Sequence, residues 1–119
     1  MPVADVVALV DDVFFQAKLF ETARQVGVTL KAVASGDALL AETQQGAPRL
    51  VIVDLNARQG PLDAIERLRA AGNPCPVIAF LSHVQVELAE RARAAGCAEV
   101  MPRSKFTANL AAILLRAKS

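Results

Sequence analysis

Val6-Val7-Ala8-Leu9-Val10-Asp11-Asp12 and, further on, Leu50-Val51-Ile52-Val53-Asp54 are short, uncharged, mostly β-branched runs that each stop on carboxylates. Runs of this length and composition read as strands buried on both faces, as in a parallel sheet. Ligand crevices in open parallel sheets lie beyond the carboxyl ends of the strands. The two ends therefore deliver Asp11, Asp12 and Asp54 to one crevice.

Outward from these runs, similar ones recur at Val28–Val33, Val77–Leu81 and, more weakly, Ala98–Met101. The segments between them have helical periodicity. Phe14, Phe15, Leu19 and Ala23 form one stripe, Ala38 to Leu40 belong to a second helix, Ile65, Leu68 and Ala71 mark a third, Leu88, Ala92 and Ala95 a fourth, and Leu110, Ile113 and Leu114 a last. Gly27, Gly46, Gly72 and Gly96 follow the first four, as glycine commonly does at helix ends. Start signals agree: Ser35 suits a cap, Pro61 a first helical position, and Ser82 with Gln85 a capping box. Strands alternating with helices give right-handed crossovers and a sheet covered on both faces. The expected fold is α/β: a doubly wound, five-stranded parallel sheet of (βα)5, flavodoxin-like type, with strand order 2-1-3-4-5.

A chain of 119 residues reads as one domain, residues 1–119. A net charge of +1 with interspersed signs provides no basic field for a phosphate backbone, and a chain without Trp or Tyr has few rings to stack on bases, so nucleic acid is not an expected partner. No apolar run is long enough to span a bilayer, and residues 1–10 lack the basic start of a secretory signal. The expected setting is soluble and cytoplasmic, with no membrane partner. Cys75 and Cys97 lack metal-ligand spacing and read as packed, reduced thiols; a redox switch between neighbouring strand starts is the weaker alternative.

Three like charges in one crevice raise one another's pKa and call for a cation. An all-oxygen set suits a hard divalent ion, Mg2+ by preference. Asp11 and Asp12 form a pair suited to holding it. Asp54 stands alone at its strand end and is the better nucleophile toward phosphorus. The structural alternative is that Asp12 caps the first helix, Asp11 is a solvated loop acid and Asp54 begins a turn with Asn56.

With V-D-D ending the first strand, V-D-x-N the third, P-V-I opening the fourth and Pro102 after the fifth, the chain resembles the receiver domain of bacterial response regulators, over Val6 to Leu115. The resemblance implies a phosphoacceptor at Asp54 and an Mg2+ site of Asp11, Asp12, Asp54 and the backbone carbonyl of Asn56. It implies a histidine kinase or phosphotransfer protein as donor. Output would pass through a face formed by the fourth helix, fifth strand and fifth helix, which also serves as a partner or homodimer face. The expectation that follows is a stand-alone domain, with no output domain after Lys118 and Ser119, that would act by protein contact and not as a metabolic enzyme.

The chain departs from the receiver pattern at the phosphoryl-sensing end. The Thr or Ser position at the end of strand four falls on Leu81, with Ser82 one residue beyond. The lysine position falls on Met101, with Arg103 and Lys105 the nearest candidate substitutes. The aromatic switch position falls on Ala98. A missing ammonium removes a fixed counter-charge to phosphoryl oxygens. Two alternatives stand beside the phosphorelay reading: a phosphorylation-independent pseudo-receiver, and a small Mg2+-dependent phosphohydrolase. A Ser-His-Asp hydrolase built on Ser82 and His83 lacks the G-x-S-x-G elbow, and no G-x-G-x-x-G follows the first strand. Arg67, Arg69, Arg91 and Arg93 read as a solvated face paired with Glu66, Glu87 and Glu90, while Arg103, Lys105, Arg116 and Lys118 form a basic cluster near the last helix.

Overall fold

A computed structural model describes residues 4–82 and 85–118. The elements are β1 (Val6–Leu9), α1 (Val13–Val26), β2 (Leu30–Val33), α2 (Gly36–Gln44), β3 (Leu50–Asp54), α3 (Pro61–Ala70), β4 (Val77–Leu81), α4 (Val86–Ala94), β5 (Glu99–Pro102), α5 (Arg103–Ala108) and α6 (Leu110–Leu115). All pairings are parallel, in the order β2-β1-β3-β4-β5. The expected topology is the observed one.

Alternation along the strands divides the interior in two. Val6, Ala8, Leu50, Ile52, Ile78 and Phe80 face one layer with Phe15, Leu19, Phe106, Ile113 and Leu114 from α1, α5 and α6. Val7, Leu9, Val51, Val53, Val77 and Ala79 face the other, with Leu39, Ile65, Leu68 and Ala92 from α2, α3 and α4. The three central strands are therefore buried along their whole length, whereas edge strands β2 and β5 are only partly so.

Several sequence-based boundaries move, each for a local reason. Val28 is not in β2, because its N–H joins that of Gly27 in bonding the Ala23 carbonyl and so closes α1. Ala98 lies just before β5 and bonds the Val77 carbonyl at 2.8 Å. The expected single last helix is two, since the Asn109 side chain donates to the Lys105 carbonyl and competes with regular helical bonding there. Ser82 is not a helix cap: α4 starts at Val86 with Gln85 at the cap position and no side-chain cap bond. Ser35 does cap α2, bonding the Ala38 N–H at 3.1 Å, and Pro61 opens α3 after Gly60, which sits in the left-handed region at φ 65°.

The loops before α2 and α3 meet without room for a side chain. The Gly36 N–H bonds the Gln59 carbonyl at 2.8 Å, and a Cβ on Gly36 would lie 2.8 Å from the Gly60 oxygen. Gly36→Ala is expected to destabilise the fold by about 1–3 kcal/mol, as overpacking does; thermal denaturation checks it.

The basic residues are dispersed and do not act as one cluster. Arg67 pairs with Asp37 and Asp63, in place of the expected Glu66, while Arg69 donates to the carbonyls of Asn73 and Gly96. Arg116 pairs with Glu99, and Lys118 donates to the Val26 carbonyl. Cys75 and Cys97 are free thiols; burial raises both, Cys97 to about 11, against a smaller opposing effect of Arg69. Both are protonated at neutral pH, which favours packing over redox chemistry. Among the described residues no helix is long and apolar enough to cross a membrane.

Candidate functional site

Because β1 and β3 are neighbours, with Leu9 paired to Val53, the acids that end them meet at the carboxyl edge of the sheet. Each is oriented by a backbone N–H. Asp12 caps α1: its Oδ1 accepts from the N–H groups of Phe14 at 2.9 Å and Phe15 at 3.3 Å. The Asp11 Oδ2 accepts from the Arg58 N–H at 3.0 Å, which ties β1 to the loop after β3. The Asp54 Oδ1 accepts from the Asn56 N–H at 2.9 Å, and its carbonyl from the Ala57 N–H at 3.0 Å. The helix-cap and turn roles of Asp12 and Asp54 are thus real, and they leave each carboxylate an oxygen that no backbone N–H uses.

Asp54 is only 3% exposed. Burial pushes its carboxyl above the usual range; the Asn56 N–H and the Arg103 guanidinium oppose that shift, and Asp11 adds to it. The crevice therefore holds a carboxylate whose charge is poorly solvated and held beside a cation.

That cation is Arg103. No loop follows Pro102; α5 begins at Arg103 directly. Its Nη2 lies 3.4 Å from Asp54 Oδ2 and its Nη1 3.9 Å from Asp12 Oδ2. The guanidinium stacks 4.4 Å from the Phe15 ring centroid and 5.5 Å from that of Phe80, a cation–π seat on buried aromatics. Lys105 does not share this role. It is exposed and pairs with no described carboxylate, because two residues along a helix rotate a side chain by about 200°.

Ser82 is placed by Asn56. The Asn56 Oδ1 accepts from the Ser82 N–H at 2.6 Å and from its hydroxyl at 3.0 Å, while Asn56 Nδ2 donates to Gln85 Oε1 at 2.9 Å. One amide joins the loop after β3 to the residues leading into α4. Sequence reasoning valued Asn56 for its carbonyl and missed its side chain; the signal available was an amide in a polar turn after a strand. His83 lies outside the described residues.

Leu81 ends β4 and is buried, Met101 is buried in β5, and Ala98 is exposed just before that strand, away from the crevice. None brings a hydroxyl, amine or ring to the crevice. Leu81 and Met101 instead line a mostly apolar groove of about 170 Å3 between α4 and β5, with Val86, Ala89, Val100 and Arg93.

As the side chains stand, no three acidic, His or Cys groups among the described residues are gathered into a set that would hold a metal ion. The donor chemistry nonetheless fits a hard divalent cation. Each of Asp11, Asp12 and Asp54 is fixed through one oxygen and keeps the other, the outer-shell support that orients metal-ligating carboxylates.

The chain matches no protein-family model, and no curated protein is similar to it in sequence. Its fold is that of receiver domains in solved structures. It is similar to the chemotaxis protein CheY4 of Vibrio cholerae, with a TM-score of 0.83 and 18% identity over 98% of this chain and 99% of that one. The receiver domain of NtrX from Brucella abortus gives 0.76 and 20% over 96% of this chain and 99% of that one. Against longer NtrX from the same organism, in complex with ADP, the TM-score is 0.76 at 20% identity; 96% of this chain is covered but only 26% of that one.

Proposed function

We propose that the chain works as a receiver-type signalling domain in which Asp54 accepts a phosphoryl group from a histidine of a kinase or phosphotransfer protein, and that output is by protein contact. The observation that carries the reading is the Asp54 carboxylate, buried at the end of β3, with one oxygen fixed by the Asn56 N–H and the other turned to Arg103.

In the transfer, an Asp54 carboxylate oxygen attacks phosphorus, a P–O bond forms, the P–N bond to the donor imidazole breaks, and the ring leaves with the bonding pair. Asn56 holds the nucleophile in orientation, and the Arg103 guanidinium faces the developing charge, the place left by Met101. A divalent ion held by Asp11, Asp12, Asp54 and the Asn56 carbonyl would neutralise phosphoryl oxygens. The new group adds about −1.5 to −2 charge units beside Arg103. Because the Asn56 side chain holds Ser82 and Gln85, a shift of the acceptor turn pulls on the residues that lead into α4 and its groove with β5. That groove supports an output face on α4, β5 and α5. Val13 and Phe14, 69% and 86% exposed beside the capping Asp12, support a protein as the donor.

A second reading is favoured by Leu81 and by the Ser82 hydroxyl, which is engaged by Asn56: a pseudo-receiver whose face is available without phosphorylation. Incubation with acetyl phosphate and Mg2+ followed by intact mass separates the two. The expected result is a decaying adduct of one phosphoryl group, absent in Asp54→Asn. No adduct at any metal concentration would leave the pseudo-receiver standing, and sustained turnover of a phosphate ester would point to a phosphohydrolase.

A further inference from the structure

We propose that Arg103 is a resident counter-cation of the crevice that competes with divalent metal for Asp12 and Asp54, so that metal binding is weak by construction. The proposal rests on the same reading of Asp11, Asp12 and Asp54 as the acidic site of a receiver-type domain, but not on Asp54 accepting a phosphoryl group.

Three observations lead to it. The guanidinium faces Asp12 Oδ2 and Asp54 Oδ2, and these are the oxygens left over after the backbone N–H bonds to the same two carboxylates. An incoming divalent ion must share those oxygens with a fixed positive charge or displace it. The seat of the guanidinium is built independently of the acids, since Phe15 lies beneath it and Phe80 beside it, themselves in contact at 5.3 Å between centroids. Mutual charge attraction alone therefore does not decide where Arg103 sits. Lastly, the Arg103 Nε is buried with no hydrogen-bond partner among the described residues, and the two ion pairs are long at 3.4 and 3.9 Å. The side chain is held by stacking and charge and not by a complete set of directional bonds, so it can yield its place when a stronger cation is supplied at high concentration.

The competition is electrostatic, and charge removal tests it. Mg2+ is titrated into the full chain with no phosphoryl donor, followed by calorimetry and by amide NMR shifts, for wild type, Arg103→Gln and Arg103→Lys. The expected result is roughly tenfold tighter Mg2+ binding in Arg103→Gln, the order of effect of removing one unit charge near a partly exposed site. Arg103→Lys retains the charge and stays closer to wild type. Asp12→Asn, which keeps an oxygen to cap α1, loses the binding in either background. Unchanged or weaker Mg2+ binding in Arg103→Gln, with an intact amide spectrum, overturns the proposal. Roughly tenfold tightening in Arg103→Lys, which keeps the charge, overturns it as well, and this arm is read against wild type whether or not the Gln variant folds. Failure of Asp54 to form a phosphoryl adduct leaves all these outcomes unaffected.

Discussion

Phe80→Ala is expected to cost the fold about 3–5 kcal/mol, the range for removing a large aromatic from a core. Phe80 is fully buried in β4 and pairs in register with Asp54 across the β3–β4 ladder. Its ring stacks on Phe106 of α5 at 4.5 Å between centroids and contacts Phe15 of α1 at 5.3 Å. Truncation leaves a cavity where α1, β4 and α5 meet, and no neighbour fills it, since Phe15 and Phe106 are held by their own helices. Urea denaturation should show a much lower midpoint with an unchanged slope. Phe80→Leu retains most of the volume and should cost distinctly less. A cost below 1 kcal/mol for Phe80→Ala would contradict the packing described.

Asp54→Asn is expected to stabilise the protein at neutral pH, by about 0.5–2 kcal/mol, as relief of functional-site strain commonly does. Burial raises the Asp54 carboxyl above its ordinary 3.8, against the Asn56 N–H and Arg103 and with a smaller push from Asp11. A raised carboxyl pKa means that the folded state holds the proton more tightly than the unfolded chain. Stability contributed by this group is thus fully present below the ordinary value and falls as pH rises through the window up to the raised one. Above that window the ionised, buried acid is a standing cost, which asparagine removes while still accepting the Asn56 N–H. Thermal melts from pH 3 to pH 8 should show the two proteins converging in acid and the variant melting higher at neutral pH. A variant less stable at neutral pH would mean that the pairing with Arg103 outweighs desolvation.

What the sequence made legible was whatever local pattern determines. Val6–Leu9 and Leu50–Val53 are apolar at every position, the pattern of a strand covered on both faces, and once they are parallel neighbours the meeting of Asp11, Asp12 and Asp54 follows from topology. The capping pattern at Ser82 was misread because a distant partner outbid the local one: Asn56, 26 residues earlier in the chain, holds both the Ser82 N–H and its hydroxyl. Arg103 was legible only as one of two candidates. Its selection over Lys105 depends on α5 starting immediately after Pro102 and on a floor of Phe15 and Phe80 drawn from other elements, neither of which is written in its neighbours.

The position of Arg103 late in the chain also sets an order of events during synthesis. The counter-charge to Asp54 is 49 residues downstream of it, on α5. As the chain is made from its N-terminus, β1, β3 and their acids exist well before Arg103, so any pairing of these strands at that stage lacks the internal cation. A sheet built only that far would hold its acids without Arg103 beside them. Arrival of β5 and α5 is therefore what supplies the acids at the ends of β1 and β3 with their counter-charge.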